Sequence, residues 1–328
     1  MCKKCKNLLI LLAIVFIPIA IFICIGVYFY KFALDPKTDK SKVFNADHNK
    51  MESDEKGIES DSELKEKEEK EKKYQNWLEN VEINDRGIYS HDNLFLHGEE
   101  IVKENSNKWV ILCHGYYESG KGMLRYAKKF HDKGFNVLLP SARAHGQSEG
   151  DYIGMGWHDR LDIVDWINKI IEAKGSDVQI MLYGVSMGGA TVMMVSGEDL
   201  PENVKVIVED CGYSSTWEEF AYQLKATYGL PSFPVLHAAS LVSKVKAGFS
   251  LEEANAVSQV RKSKTPTLFI HGTDDTFVPY EMVYKVYEAL DAPKDLIIVE
   301  GAGHGKSWAT LKYKYWENIW NFVDDYIV

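Results

Sequence analysis

The sequence predicts an α/β fold in which a mostly parallel central sheet is covered by helices on both faces. Three observations predict it. From Trp109 onward, short apolar runs alternate with amphipathic helical patterns. One such run, Val178–Tyr183, leads straight into Gly184-Val185-Ser186-Met187-Gly188 and then into the small apolar stretch Gly189–Val195. The chain has 328 residues and is 45% hydrophobic, enough for one large core with appendages.

The first element lies outside that core. Leu8 to Tyr30 is apolar and uncharged, and a helix of about 20 such residues spans a bilayer. Tyr28 and Tyr30 stand at its C-terminal end, where interfacial aromatics belong. The run exceeds a signal-peptide core, no A-x-A-like site follows it, and bulky Ile23 precedes Cys24. Residues 1–30 therefore read as a tail and an uncleaved transmembrane signal anchor. The six-residue tail carries Lys3, Lys4 and Lys6; kept in the cytoplasm, it leaves the rest of the chain on the extracytoplasmic side.

Residues 31–75 read as a charged spacer, disordered or an exposed helix. Glu63–Lys73 is a mixed-sign charge run without apolar seam positions, which excludes a coiled coil. Globular composition begins at residue 76 and continues to 328. Arg86–Ser90 and Asn93–Val102 form an antiparallel pair. Trp109–Cys113 is a strand, Lys121–Lys133 a helix, and Asn136–Leu139 a strand. His158–Ala173 is a helix with Leu161, Val164, Ile167, Ile170 and Ile171 at helical spacing. After the serine-bearing turn come strands at Val204–Glu209, Pro266–Ile270 and Leu296–Glu300. Helices are expected at Val283–Leu290 and, closing the chain, Thr310–Val328. Residues 212–262 break the alternation. They are helical and rich in aromatics, among them Trp217, Phe220, Tyr228 and Phe249. They read equally as extra helices packed on the core or as a small helical cap over a cleft.

Composition narrows the function. Net charge is −10, and no basic patch is interleaved with aromatics, so nucleic acid is not an expected partner. Five cysteines form no disulfide framework; Cys113 and Cys211 end apolar runs and read as buried thiols. The zinc-protease pattern H-E-x-x-H is absent, and neither a metal nor an organic cofactor is expected.

The pentapeptide carries the chemistry. A serine on a sharp strand-to-helix turn must adopt positive φ, and side chains two residues away on either side would clash, hence Gly184 and Gly188. A serine hydroxyl also needs a base, a group that orients the base, and donors for an oxyanion. The base is sought after the last strand, where His304 sits in Gly301-Ala302-Gly303-His304-Gly305. The acid is sought at a strand end. Asp274, Asp275 and Asp210 compete, and the residues alone leave the choice open. The oxyanion donors are expected to be the backbone N–H groups of Met187, which follows the serine, and Tyr116, which follows the His114-Gly115 turn.

Over about residues 85–328 these motifs resemble the α/β-hydrolase superfamily. Within it the chain is similar to bacterial membrane-anchored esterase, lipase and thioesterase-like serine hydrolases, in the monoacylglycerol-lipase-like and serine-aminopeptidase-like group. The resemblance implies that the acid of H-G-x-x-D-x-x-V, here His271 to Val278, is Asp275. It also implies D-x-R-G-H-G-x-S, where this chain has Ser141-Ala142-Arg143-Ala144-His145-Gly146-Gln147-Ser148. Two of those positions depart from the pattern, and Arg143 and His145 are expected to pin the loop. The expected function is a serine hydrolase cleaving a carboxylic ester or thioester, of a small molecule or lipid, at a membrane. The alternatives are a peptidase or amidase with the same residues, and a non-catalytic membrane-tethered binding protein.

Overall fold

The computed structural model describes residues 3–39 and 61–328. Eight strands form one sheet: β1 (Asn84–Tyr89), β2 (Phe95–Ile101), β3 (Lys108–Cys113), β4 (Asn136–Pro140), β5 (Gln179–Val185), β6 (Val204–Asp210), β7 (Thr267–Gly272) and β8 (Lys294–Val299). Their order is β1-β2-β4-β3-β5-β6-β7-β8. The β1–β2 and β2–β4 pairs are antiparallel, and every later pair is parallel.

Strand residues alternate between two cores, as the two-residue period of a strand requires. Val110, Leu112, Met181, Tyr183, Val206 and Val208 face one side. There they meet α3 (Leu124–Asp132) through Ala127 and Phe130, and α11 (Tyr313–Val323) through Trp316, Ile319 and Val323. Trp109, Ile111, Ile180, Leu182 and Ile207 face the other, against Ile163, Trp166, Ile167 and Ile170 of α4 (Asp159–Lys174). Covered on both faces, the strands β3–β7 need continuous apolar runs, which is how they read in the sequence. The closing helix is in two pieces, α10 (Ser307–Leu311) and α11, because Lys312 takes a positive φ of 56° and breaks the ladder.

Helix α5 (Met187–Val195) follows β5 and is buried along its whole length. Three helices occupy the segment between β6 and β7: α6 (Thr216–Tyr228), α7 (Ser232–Lys246) and α8 (Ala256–Val260). The remaining helix of the body, α9 (Glu281–Ala289), covers β7 through Met282, Val283 and Val286.

Two helices precede the sheet. The charged stretch contains α2 (Asp61–Asn80), whose end docks on α3 by Trp77 against His131 and by an Arg125–Glu71 ion pair at 2.8 Å. The rest of the expected spacer, 40–60, lies outside the described residues. The apolar N-terminal segment forms α1 (Lys3–Leu34), so residues 31–34 of that spacer belong to the helix. Leu12–Leu34 is long and apolar enough to cross a membrane, by length and composition. Its last turns do not stand apart from the domain. They pack against α7, where a Cβ on Gly26 would lie 2.5 Å from the Ala238 carbonyl oxygen.

Candidate active site

The site lies at the carboxyl ends of the parallel strands, where open α/β sheets bind their ligands. Ser186 stands between β5 and α5 with φ 58° and ψ −120°, a conformation that costs roughly 1–3 kcal/mol and persists only where its surroundings enforce it. They do. The Ser186 N–H donates to the Asp210 carbonyl at 2.8 Å, and the Ser186 carbonyl accepts from Ala190 N–H at 2.9 Å. A Cβ on Gly184 would sit 2.1 Å from the Gly188 carbonyl oxygen, and one on Gly188 would sit 2.0 Å from that of Cys113. No larger residue fits this turn.

His304 follows β8 between Gly301 and Gly305, both at positive φ and free of close neighbours. Its Nε2 is 2.8 Å from Ser186 Oγ, and its Nδ1 is 2.8 Å from Asp275 Oδ2. Asp275 is buried after β7. Its Oδ1 accepts from the N–H groups of Phe277 at 3.0 Å and Val278 at 2.8 Å, while buried His271 Nε2 lies 3.2 Å from Oδ2. Burial alone would raise this carboxyl. The charge of His304 and the bonds from His271 and His304 overcome it and hold the group down at about 2. Asp275 is thus a fixed anion pointed at the histidine.

The competing acids are placed elsewhere. Asp274 is exposed and bonds Thr273. Asp210 accepts from Ser307 Oγ at 2.8 Å and Tyr315 OH at 2.7 Å in the core beneath the site. His114 is buried, and burial with the neighbouring His145 holds its imidazole down at about 3. Neutral, its Nε2 accepts from Ala142 N–H at 2.9 Å. Arg143 is buried between Asp162 at 2.6 Å and Asp92 at 3.0 Å, and His145 Nδ1 meets the Arg143 carbonyl at 3.0 Å. Both pin the loop after β4, as expected. Cys113 and Cys211 are buried thiols. Cys211, Asp275 and His304 place ligand-type atoms within 4.8 Å of one another. Burial first, and then the Asp210 charge, push the Cys211 thiol far above its ordinary range. It stays protonated and is a poor metal ligand.

Ser186 and Met187 open onto a cavity walled mainly by apolar side chains, as small-molecule sites usually are. Tyr116 and Phe277 form its near rim, while α6 and α7 supply Phe220, Leu224, Val235, Leu236 and Ala239. The far wall is α1, through Phe29, Tyr30, Phe32, Ala33 and Leu34. The sequence held no signal for that contact, since an apolar helix facing lipid and one facing a pocket have the same composition. Glu219 is the other residue not anticipated. It is buried in the pocket with Oε2 unpartnered, and Oε1 accepts from Gln223. Burial pushes its carboxyl up to about 8. The available signal was an acid on the same helical stripe as Phe220, Gln223, Leu224 and Thr227.

Comparison with known proteins agrees with this architecture. Residues 108–230 match the family described as alpha/beta hydrolase fold, and residues 242–312 that of TAP-like protein. The chain is 29% identical over 228 residues to YqkD of Bacillus subtilis, covering 70% of this chain and 75% of that one. It is 25% identical to a membrane protein of Saccharomyces cerevisiae, YNL320W, covering 72% and 78%. Among solved structures, the Pyrococcus furiosus esterase Pf2001 superposes with a TM-score of 0.61 at 25% identity, over 76% of this chain and 92% of the esterase. A strained serine between β5 and α5, in a sheet of this order and with these relatives, has one family home: the chain belongs to the α/β-hydrolase superfamily.

Proposed function

We propose that this hydrolase cleaves a carboxylic ester or thioester through an acyl-enzyme on Ser186, with α1 holding it in a membrane. The observation that carries the reading is the unbroken chain of bonds from Ser186 Oγ through His304 to buried Asp275. In the first step His304 Nε2 takes the hydroxyl proton as Ser186 Oγ attacks the acyl carbonyl. Asp275 holds the ring by its Nδ1 edge and offsets the positive charge that develops there. His304 returns the proton to the leaving oxygen or sulfur. Water, deprotonated by the same nitrogen, then releases the acid.

The oxyanion is assigned to the N–H groups of Met187, in the first turn of α5, and Tyr116. A Cβ on Gly115 would lie 3.7 Å from Ser186 Cβ, so the loop carrying Tyr116 runs beside the nucleophile. The walls of the cavity favour an acyl group over a charged peptide side chain. Segment 212–262 acts as the cap, and the basic tail places the catalytic domain on the extracytoplasmic side. Ser186→Ala is expected to abolish turnover of p-nitrophenyl butyrate and labelling by a fluorophosphonate, with the melting temperature unchanged. Retained turnover would overturn the assignment. Labelling without turnover of any ester, but with cleavage of amides, would move the reading to an amidase.

A further inference from the structure

The length of α1 fixes how close the catalytic domain comes to the bilayer. The uncharged run begins at Leu8, and all side chains from Leu12 to Ile21 are exposed. From Phe22 onward, buried and half-buried positions appear as the helix packs against α7. Leu8–Ile21 is fourteen residues, about 21 Å at 1.5 Å per residue. The hydrocarbon core is about 30 Å thick. About 9 Å is missing, or roughly six residues, and tilt of the helix only increases the deficit. The run that supplies them is 22–27, which lies alongside α7.

Helix α7 is antiparallel to α1. Phe29 and Phe32 meet Tyr228, just ahead of α7, at 5.6 and 6.0 Å, whereas Gly26 meets Ala238 and Val242 further along it. The C-terminal end of α7 therefore points along α1 toward the membrane. Two side chains there are apolar and exposed, Leu241 at 55% and Val245 at 79%. They flank the stripe that touches α1. Lys246 and the Lys244–Glu253 pair, at 2.9 Å, limit the depth: they remain in the headgroup layer while the aliphatic side chains reach beneath it.

Immediately past this boundary α1 becomes the wall of the cavity. It is fastened there by two of its last carbonyls. Ala33 O accepts from Tyr116 OH at 2.5 Å, and Leu34 O accepts from Ile153 N–H at 2.8 Å. Most side chains lining the cavity between α1 and Ser186 are apolar, with Glu219, Gln223 and Thr227 of α6 as polar members.

We propose that the cavity is filled from the bilayer. The end of α7 sits in the membrane boundary beside α1, and the substrate is the ester of a long acyl chain resident in the membrane. The chain enters along the anchor without crossing water. The anchor is then a substrate-binding element as well as a tether. This rests on the ester-hydrolase and membrane readings above, and its test separates the three.

The full-length protein is reconstituted in phosphatidylcholine vesicles. A fluorophore on Val245→Cys, in a background with Cys2, Cys5 and Cys24 changed to Ser, reports depth without any activity. Expected is strong quenching by lipids carrying a shallow nitroxide, and little by aqueous iodide. The reverse overturns the placement, whatever the enzyme does. The double variant Leu241→Asp, Val245→Asp is then assayed on a long-chain monoacylglycerol in vesicles and on soluble p-nitrophenyl acetate. The expected result is at least a tenfold loss on the first and none on the second. Equal loss on both, or loss on neither, overturns bilayer entry. Failure of wild type on every ester overturns the hydrolase reading instead, and release of the chain by alkaline carbonate overturns the membrane reading.

Discussion

The floor of the cavity and its roof are held by different forces. The floor carries Ser186, Asp275 and His304 on loops at the ends of β5, β7 and β8, and nearly every polar atom there has a directed bond. The roof is α1, α6 and α7, whose side chains on the cavity are mainly aromatic and aliphatic. The floor tolerates little displacement, because hydrogen bonds weaken steeply with angle and distance. Apolar contact has no direction, and a surface of that kind adapts to chains of different length. On the proposed function, the difference would assign rate to the floor and substrate selection to the roof.

Changes to the floor are expected to have the largest effects. Asp275→Asn keeps the shape but removes the anion. His304 would then be held by a neutral amide and lose the charge that offsets its protonation. A kcat decrease of about 10²–10⁴ is expected, with KM within a few-fold, for a short soluble ester. A KM effect without a kcat effect would show that Asp275 belongs to substrate binding instead.

Changes to the roof should be smaller and should depend on substrate. Phe29→Ala with Phe32→Ala thins the wall contributed by α1. Loss of apolar contact of that size is worth about 1–3 kcal/mol, which corresponds to a KM increase of roughly tenfold for a sixteen-carbon ester. An acetate ester, too short to reach the wall, should be unaffected. An equal change on both substrates would erase the distinction between roof and floor.

Glu219 lies where the two meet, and its effect is on stability. Its carboxyl is pushed up to about 8 by burial, against about 4.3 in an unfolded chain. The folded state therefore holds the proton more tightly. The resulting stability is fully present below about pH 4 and is lost as pH rises to about 8, as the unfolded chain ionises first. Glu219→Gln, which cannot ionise, should melt higher than wild type at pH 8, and the gap should close near pH 4. A constant gap across that range, followed by calorimetry, would mean that titration of Glu219 is not its cause.

The strands were legible because their apolar runs are continuous, and the serine turn because steric crowding leaves glycine alone at two positions. Lys312 was not legible. A lysine at positive φ inside an amphipathic stretch carries no turn signal, so α10 and α11 read as one helix. The choice between Asp274 and Asp275 was open on residues alone, since both follow the same strand. The family resemblance points to Asp275, and the loop's geometry sets the buried carboxylate beside His304 apart from the exposed one beside Thr273. The contact of α1 with α7 was hidden for a different reason. Membrane-facing and protein-facing helices are both apolar, and Gly26 against Ala238 is a single small residue in a long hydrophobic run.

The crowding at Gly184 and Gly188 also bears on how such a site can be inherited. A methyl group at either place would strike a backbone carbonyl, at 2.1 Å and 2.0 Å, and backbone cannot swing aside as a side chain can. The frame around the nucleophile therefore passes down a lineage unchanged or not at all. The serine itself has no such guard, since its hydroxyl meets only the His304 ring and the cavity, not a backbone carbonyl. A descendant can lose the reaction by a single codon change and keep the whole scaffold, so retention of the glycines alone records ancestry, not activity.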